Sequence, residues 1–184
     1  MKKIVILINL ILLITGCSHH VKSDSQQDIE KISARVLVYI PENFLHYQSD
    51  HAAVIKSLSF KFNEPVTQFL PALFNDTFGS ADFSYTPADL NDKYDFLAVP
   101  KFEKVTFDSD RSFGHELRVT ISTSFTSANQ PTPIEVKGTG LSEDMYGGKT
   151  IYEQELANEA FVDALKDLQK NIQNKRSEFE NTGQ

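Results

Sequence analysis

The stretch ELRVTISTSFTSANQPTPIEVKGTG (residues 116–140) decides the fold. Leu117, Val119, Ile121 and Phe125 share one parity, and Arg118, Thr120, Ser122 and Ser124 share the other. That alternation predicts a strand with one buried and one solvated face. After the turn SANQPTP, Ile134 and Val136 begin a second strand whose polar side carries Glu135, Lys137 and Thr139. Gly138 and Gly140 then fall at core parity, where the missing side chains leave room for something bulky. A helix packed close to the sheet is the simplest occupant, and a ligand cleft between helix and sheet is the other. A phosphate-binding Gly-x-Gly turn does not fit, because the pair lies inside a strand pattern with no helix start after it.

Upstream, YDFLAVPKFEKVTF (residues 94–107) predicts a third strand of the same meander. Pro100 cannot donate to a ladder, which implies a sheet edge or a bulge. Phe96, Ala98 and Phe102 hold one parity while Val105 and Phe107 hold the other, so a one-residue bulge between them would reunite the two sets.

The first half reads as ARVLVYI (34–40), a buried strand stopping at Pro41, followed by a long loop with a short strand inside residues 55–62. In NEPVTQFLPALFNDTFG (63–79), apolar residues recur on one helical face from Val66 to Phe78. Asn63 or Glu64 suits the cap, Pro65 the first turn and Gly79 the left-handed terminus, while Pro71 predicts a kink. DFSYT (82–86) alternates as a short strand. The chain closes with a helix over 150–179, its stripe formed by Ala157, Ala160, Phe161, Ala164, Leu165, Leu168 and Ile172. Glu159, Asp163 and Asp167 make an acidic ridge on it at i, i+4 spacing, read as a solvated face or a partner-docking surface.

These elements predict an α+β two-layer sandwich: a mainly antiparallel sheet of four to five strands with two helices on one face. Fourteen phenylalanines and six tyrosines, with no tryptophan, predict a core built on aromatic bulk.

Chemistry is sparse. No G-x-S-x-G elbow, P-loop, H-E-x-x-H or Cys-x-x-Cys occurs. His46, Asp50 and His51 are the nearest approach to a metal cluster, but nothing places them on a regular element at ligand spacing and no further ligand is evident nearby, so they read as loop residues. His115 reads as a turn residue. The sequence therefore predicts no enzyme, no cofactor and no metal. A formal net charge of −7 also argues against nucleic acid as a partner.

The amino-terminal residues say where the chain resides. Met1-Lys2-Lys3 is positively charged, and the aliphatic run IVILINLILLI (4–14) is about half the length a bilayer span needs. Ile14-Thr15-Gly16-Cys17 then resembles the lipobox of bacterial lipoproteins. That resemblance implies cleavage before Cys17, a diacylglyceryl group on its sulfur and acylation of the new amino terminus. Two or more chains are what stable anchoring requires. Ser18 rather than aspartate after the cysteine implies the outer membrane, with the domain in the periplasm. The expected organisation is a signal peptide over 1–16, a lipidated tether over 17–33 and one domain over 34–180. Loss of Lys2 and Lys3 would move the formal charge from −7 to −9. His19 and His20 read as solvated tail residues.

The strand pair ELRVTISTSF…IEVKGTG followed by YEQELANEAFVDALKDLQKNI resembles the C-terminal half of small periplasmic lipoproteins. These are the YajG type, the LPS-assembly lipoprotein and auxiliary lipoproteins of envelope ABC transporters. The resemblance implies a non-enzymatic accessory or assembly subunit of an envelope complex, docked at the membrane. The other reading is a lipid- or glycolipid-binding module, with Lys104, Arg118 and Lys137 clustered on the polar sheet face to meet phosphates. Oligomeric state stays open.

Overall fold

The computed structural model describes residues 30–52, 57–110, 114–144 and 153–181. The signal-like segment, Cys17, His19 and His20, and residues 150–152 of the expected last helix lie outside the described residues. In chain order the elements are β1 (Ile32–Tyr39), α1 (Glu42–Leu45), β2 (Gln48–Ala52), β3 (Ser57–Lys61), α2 (Asn63–Thr77), β4 (Phe78–Ser84), β5 (Phe96–Asp110), β6 (Gly114–Ser127), β7 (Gln130–Asp144), α3 (Glu153–Asn174) and α4 (Arg176–Glu180). Five strands form one sheet in the order β4-β1-β5-β6-β7, and β2 pairs with β3 in a separate hairpin. Helix α3 lies along β7 and β6 and packs on α2, so both long helices cover one face. The α+β sandwich expected from the sequence is the fold observed.

The meander follows the expected registers. Leu117, Val119, Ile121 and Phe125 are completely buried, whereas Arg118 on the opposite parity is exposed. The bulge in β5 lies at Glu103: Phe102 faces Ile121 and Lys104 faces Thr120, so one residue is extra. Val105 and Phe107 thereby rejoin the side of Phe96 and Ala98 and pack on the core. Pro100 sits just past Ala98, the last β5 residue paired with β1. Beyond that point β5 has a ladder only with β6, in which Pro100 stands opposite Thr123.

Other features depart from the local reading. β1 pairs in parallel with both β4 and β5, and it starts at Ile32, a fully buried residue inside the stretch read as tether. Gln48–Ala52 is a strand rather than loop, because β3 offers it a complete antiparallel partner. Helix α2 has Phe62 at its cap position with no side-chain cap bond, so neither Asn63 nor Glu64 caps it. It runs through Pro71 and passes straight into β4 at Phe78, whose extended angles (φ −112, ψ 157) place its ring in the core. Gly79 is therefore a strand residue; among the described residues, Gly114 alone has a positive φ. The expected 150–179 helix breaks at Lys175, and the short α4 follows.

The core is aromatic. Nine of its twelve largest fully buried side chains are phenylalanines, which fills the space between two layers with few residues. One group, Phe74, Phe78, Phe125 and Phe179, spans α2, β4, β6 and α4 with ring centroids 4.9–6.2 Å apart. A second group centres on Phe102, stacked on Tyr47 at 4.2 Å and Phe44 at 4.6 Å, with Phe62 and Phe161 behind it. Among the described residues no helix is long and apolar enough to cross a membrane.

Candidate functional site

Two surfaces of the β5–β6–β7 meander carry the charged residues that the sequence singles out. The first is the free edge of β7. A Cβ built on Gly138 would fall inside the Ala164 carbonyl, the Leu168 amide and, at 2.7 Å, the Leu168 Cβ. One on Gly140 would overlap the Ala160 carbonyl and the Ala164 amide. Helix backbone therefore occupies the space above both glycines. The cleft reading of those residues is corrected: they admit α3, not a ligand.

This close approach also sets the fate of the acidic ridge. Asp167 Oδ2 accepts the Thr139 N–H at 3.0 Å, and Asp163 Oδ2 accepts the Leu141 N–H at 3.0 Å. Ser142 Oγ donates to Glu159 Oε2 at 2.6 Å, and Asn171 Nδ2 donates to the Lys137 carbonyl at 2.9 Å. Four helix residues advance about 6 Å and two strand residues about 6.8 Å. Side chains at 163, 167 and 171 thus keep step with residues 141, 139 and 137 of a strand running the other way, and Glu159 reaches the Ser142 hydroxyl beside them. The ridge does for β7 what a neighbouring strand would do, closing an edge that would otherwise invite pairing. Replacing both Asp163 and Asp167 by alanine is expected to cost about 2–4 kcal/mol in urea unfolding, near the sum of two lost acceptors. The asparagine pair, which keeps an acceptor at each position, is expected to cost less than half as much.

The second surface is the helix-free face of the meander. Cross-strand pairing places Lys101, Ser122 and Lys137 in one row, Lys104, Thr120 and Thr139 in the next, and Thr106, Arg118 and Leu141 in the third. Lys104, Arg118 and Lys137 are brought together here and all are exposed. Arg118 pairs with Glu116 at 2.8 Å. Glu103, freed from the ladder by the bulge, accepts from Ser122 Oγ at 2.8 Å and meets Lys101 Nζ at 3.1 Å and Lys137 Nζ at 3.8 Å. Its carboxyl is held below the usual range, first by the Ser122 hydrogen bond and then by that of Lys101. Lys101 and Glu103 carried no signal of a site in the sequence, although the parity change between Phe102 and Val105 marked the bulge that holds Glu103.

The histidines lie elsewhere. His46 is exposed just after α1. Gln48 Nε2 donates to Asp50 Oδ1 at 2.9 Å, and His51 Nε2 lies 2.7 Å from Ser49 Oγ. His115 belongs to β6 rather than a turn; it is 7 % exposed and stacks on Phe107 at 5.5 Å, because β6 starts one residue before it. Among the described residues no three His, Cys, Asp or Glu side chains are placed to hold a metal ion.

At the opposite side of the sheet, Asp95 accepts from the Arg35 backbone N–H at 2.8 Å and from Nη2 at 2.8 Å, and its own N–H donates to the Arg35 carbonyl. The Arg35 side chain holds the Asp95 carboxyl below the ordinary range, and Lys93 does the same for Asp82. These groups ionise more readily folded than unfolded. Their contribution to stability is complete above the ordinary carboxylate pKa, about 4, and is lost as pH falls through the lower folded values. Urea midpoints are expected to fall from about pH 4 downward, and Asp95→Asn is expected to make that decline shallower.

No family model matches the chain, and no curated protein does. Among solved structures, protein XCC0632 from Xanthomonas campestris, of family DUF330, is similar at 8% identity with a TM-score of 0.50, covering 80% of this chain and 90% of that one. A minor lipoprotein from Acinetobacter baumannii is similar at 12% identity with a TM-score of 0.43, covering 80% of this chain and 96% of that one. The likeness to the Xanthomonas protein, at so low an identity, is one of fold: the two share the α+β architecture described above.

Proposed function

We propose that the chain is a periplasmic lipoprotein, anchored to the outer membrane through acyl groups on Cys17, and that it serves as a non-enzymatic accessory or assembly subunit of an envelope complex. The observation that carries this reading is the order of parts at the amino terminus: two lysines, an aliphatic run too short to span a bilayer, then Ile14-Thr15-Gly16-Cys17. The fold supports it at the other end of the tether. Arg176 Nη1 donates to the Glu30 carbonyl at 3.0 Å and Nη2 to the Lys31 carbonyl at 3.2 Å, so α4 holds the chain where it enters the domain. Twelve residues then separate Cys17 from Glu30, which limits the distance between anchor and domain to about 40 Å. Confinement to such a layer raises the effective concentration toward membrane-bound partners.

Cys17→Ser is expected to move the protein from the membrane to the soluble fraction, or to leave it unprocessed. Intact mass of the native protein is expected to show a chain that begins at Cys17 and carries acyl groups. An unmodified amino terminus at another residue would overturn the anchor. Crosslinking in cells tests the accessory role: recovery in a defined envelope complex is expected, and recovery only as a free monomer would count against it.

A further inference from the structure

Glu103 shows how the helix-free face of the meander holds a carboxylate. In the first row a cation, a hydroxyl and a second cation (Lys101, Ser122, Lys137) surround that side chain. The adjoining row, about 7 Å further along the strands, has the same kinds of donor. Lys104 is exposed there, the Thr120 and Thr139 hydroxyls lie 3.2 Å apart, and Arg118 stands one row beyond. Among the described residues no carboxylate pairs with Lys104. We propose that this second row receives a carboxylate from an acidic segment of a protein partner. Further acids of that segment would lie along the strip toward Arg118. The inference deepens the accessory role and rests on that reading for its setting, while its chemistry rests on the sheet alone.

Charge complementarity selects this occupant. The chain is acidic overall, yet Lys101, Lys104, Arg118 and Lys137 gather on one face. That face is also bounded by Glu135 at one end and by Asp108, Glu116 and Glu143 at the other. With Glu103 included, carboxylates outnumber cations on it, so a broad anionic surface such as a bilayer meets no net attraction. A narrow acidic segment crossing the middle rows meets Lys104 and Arg118 and avoids Glu135, Asp108 and Glu143 at the two ends.

The test uses the full chain in detergent micelles and a fluorescein-labelled ten-residue oligoglutamate as probe, read by anisotropy at low ionic strength. Binding is expected to weaken with added salt. Lys104→Glu is expected to weaken it at least about tenfold. Lys170→Glu, a reversal of an exposed cation on α3, is expected to change it less than about twofold. Glu103→Gln, which removes the resident carboxylate, is expected to tighten it. Unchanged urea midpoints confirm that each variant folds. No binding of the probe, or equal losses with Lys104→Glu and Lys170→Glu, would overturn the proposal. Lys104-dependent binding to phosphatidylglycerol vesicles in place of the probe would also overturn it, in favour of a lipid headgroup. Because the readout is made in micelles, its failure leaves the Cys17 anchor untouched, and loss of the anchor leaves this result standing.

Discussion

Gly140→Val is expected to destabilise the domain by more than about 3 kcal/mol, because the added carbon meets helix backbone rather than a movable side-chain tip. Besides the Ala160 and Ala164 backbone, the Asp163 carbonyl carbon lies 2.8 Å from the new Cβ position. Relief requires moving α3 off the sheet by more than about 1 Å to restore ordinary contact distances. That motion also lengthens the bonds from the Thr139 and Leu141 amides to Asp167 and Asp163. Urea unfolding gives the stability change, and amide exchange gives an independent reading: Thr139 and Leu141 are expected to exchange faster than their neighbours in β6. Gly138→Ala is expected to act in the same direction, and the double variant to cost less than the sum, since the helix is displaced only once. A Gly140→Val chain as stable as the original would show that α3 does not lie this close to β7.

Phe179→Ala is expected to cost about 3–5 kcal/mol, although the residue lies in the short last helix of the described residues. Terminal residues usually tolerate change because few are buried. Phe179 is 2 % exposed, and its ring meets Phe125 at 4.9 Å, Phe96 at 5.2 Å and Phe78 at 5.6 Å, all edge-on. One side chain thus joins β6, β5 and β4, and each edge-to-face pair adds about 0.5–1.5 kcal/mol beyond burial. Removing residues 176–184 is expected to cost still more, since Arg176 also holds the carbonyls of Glu30 and Lys31. Ser177→Ala, at an exposed position of the same short helix, is the control and is expected to stay within about 0.5 kcal/mol. Thermal or urea unfolding of the three chains decides the matter; a Phe179→Ala cost under about 1 kcal/mol would refute the packing.

Part of this was legible in the sequence, for a local reason. Burial of one face imposes a period on the residues themselves, so the strands of the meander, the two long helices and the β5 bulge are written in their own segments. The glycines at 138 and 140 announced a close neighbour in the same way. The hairpin strand β2 left no such mark: QSDHA has no apolar alternation, and only pairing with β3 makes it a strand. Gly79 looked like a helix terminus because glycine commonly ends helices. Its actual place follows from burial of Phe78 at the start of β4.

From residues alone came the kinds of element, the faces they bury, the aromatic core and the expectation of a lipid anchor. Those depend on short-range periodicity and on a linear motif. The tertiary structure alone decided the parallel setting of β1 between β4 and β5 and the assignment of β7 to an edge. It also decided the pairing of Glu159, Asp163 and Asp167 with that edge, the meeting of Lys101 and Lys137 at Glu103, and the placing of Lys104 and Arg118 on the same sheet face. A carboxylate spaced i, i+4 on a helix is the same in sequence whether it faces water or a strand. What distinguishes the two is the position of residues far along the chain, which no local pattern encodes.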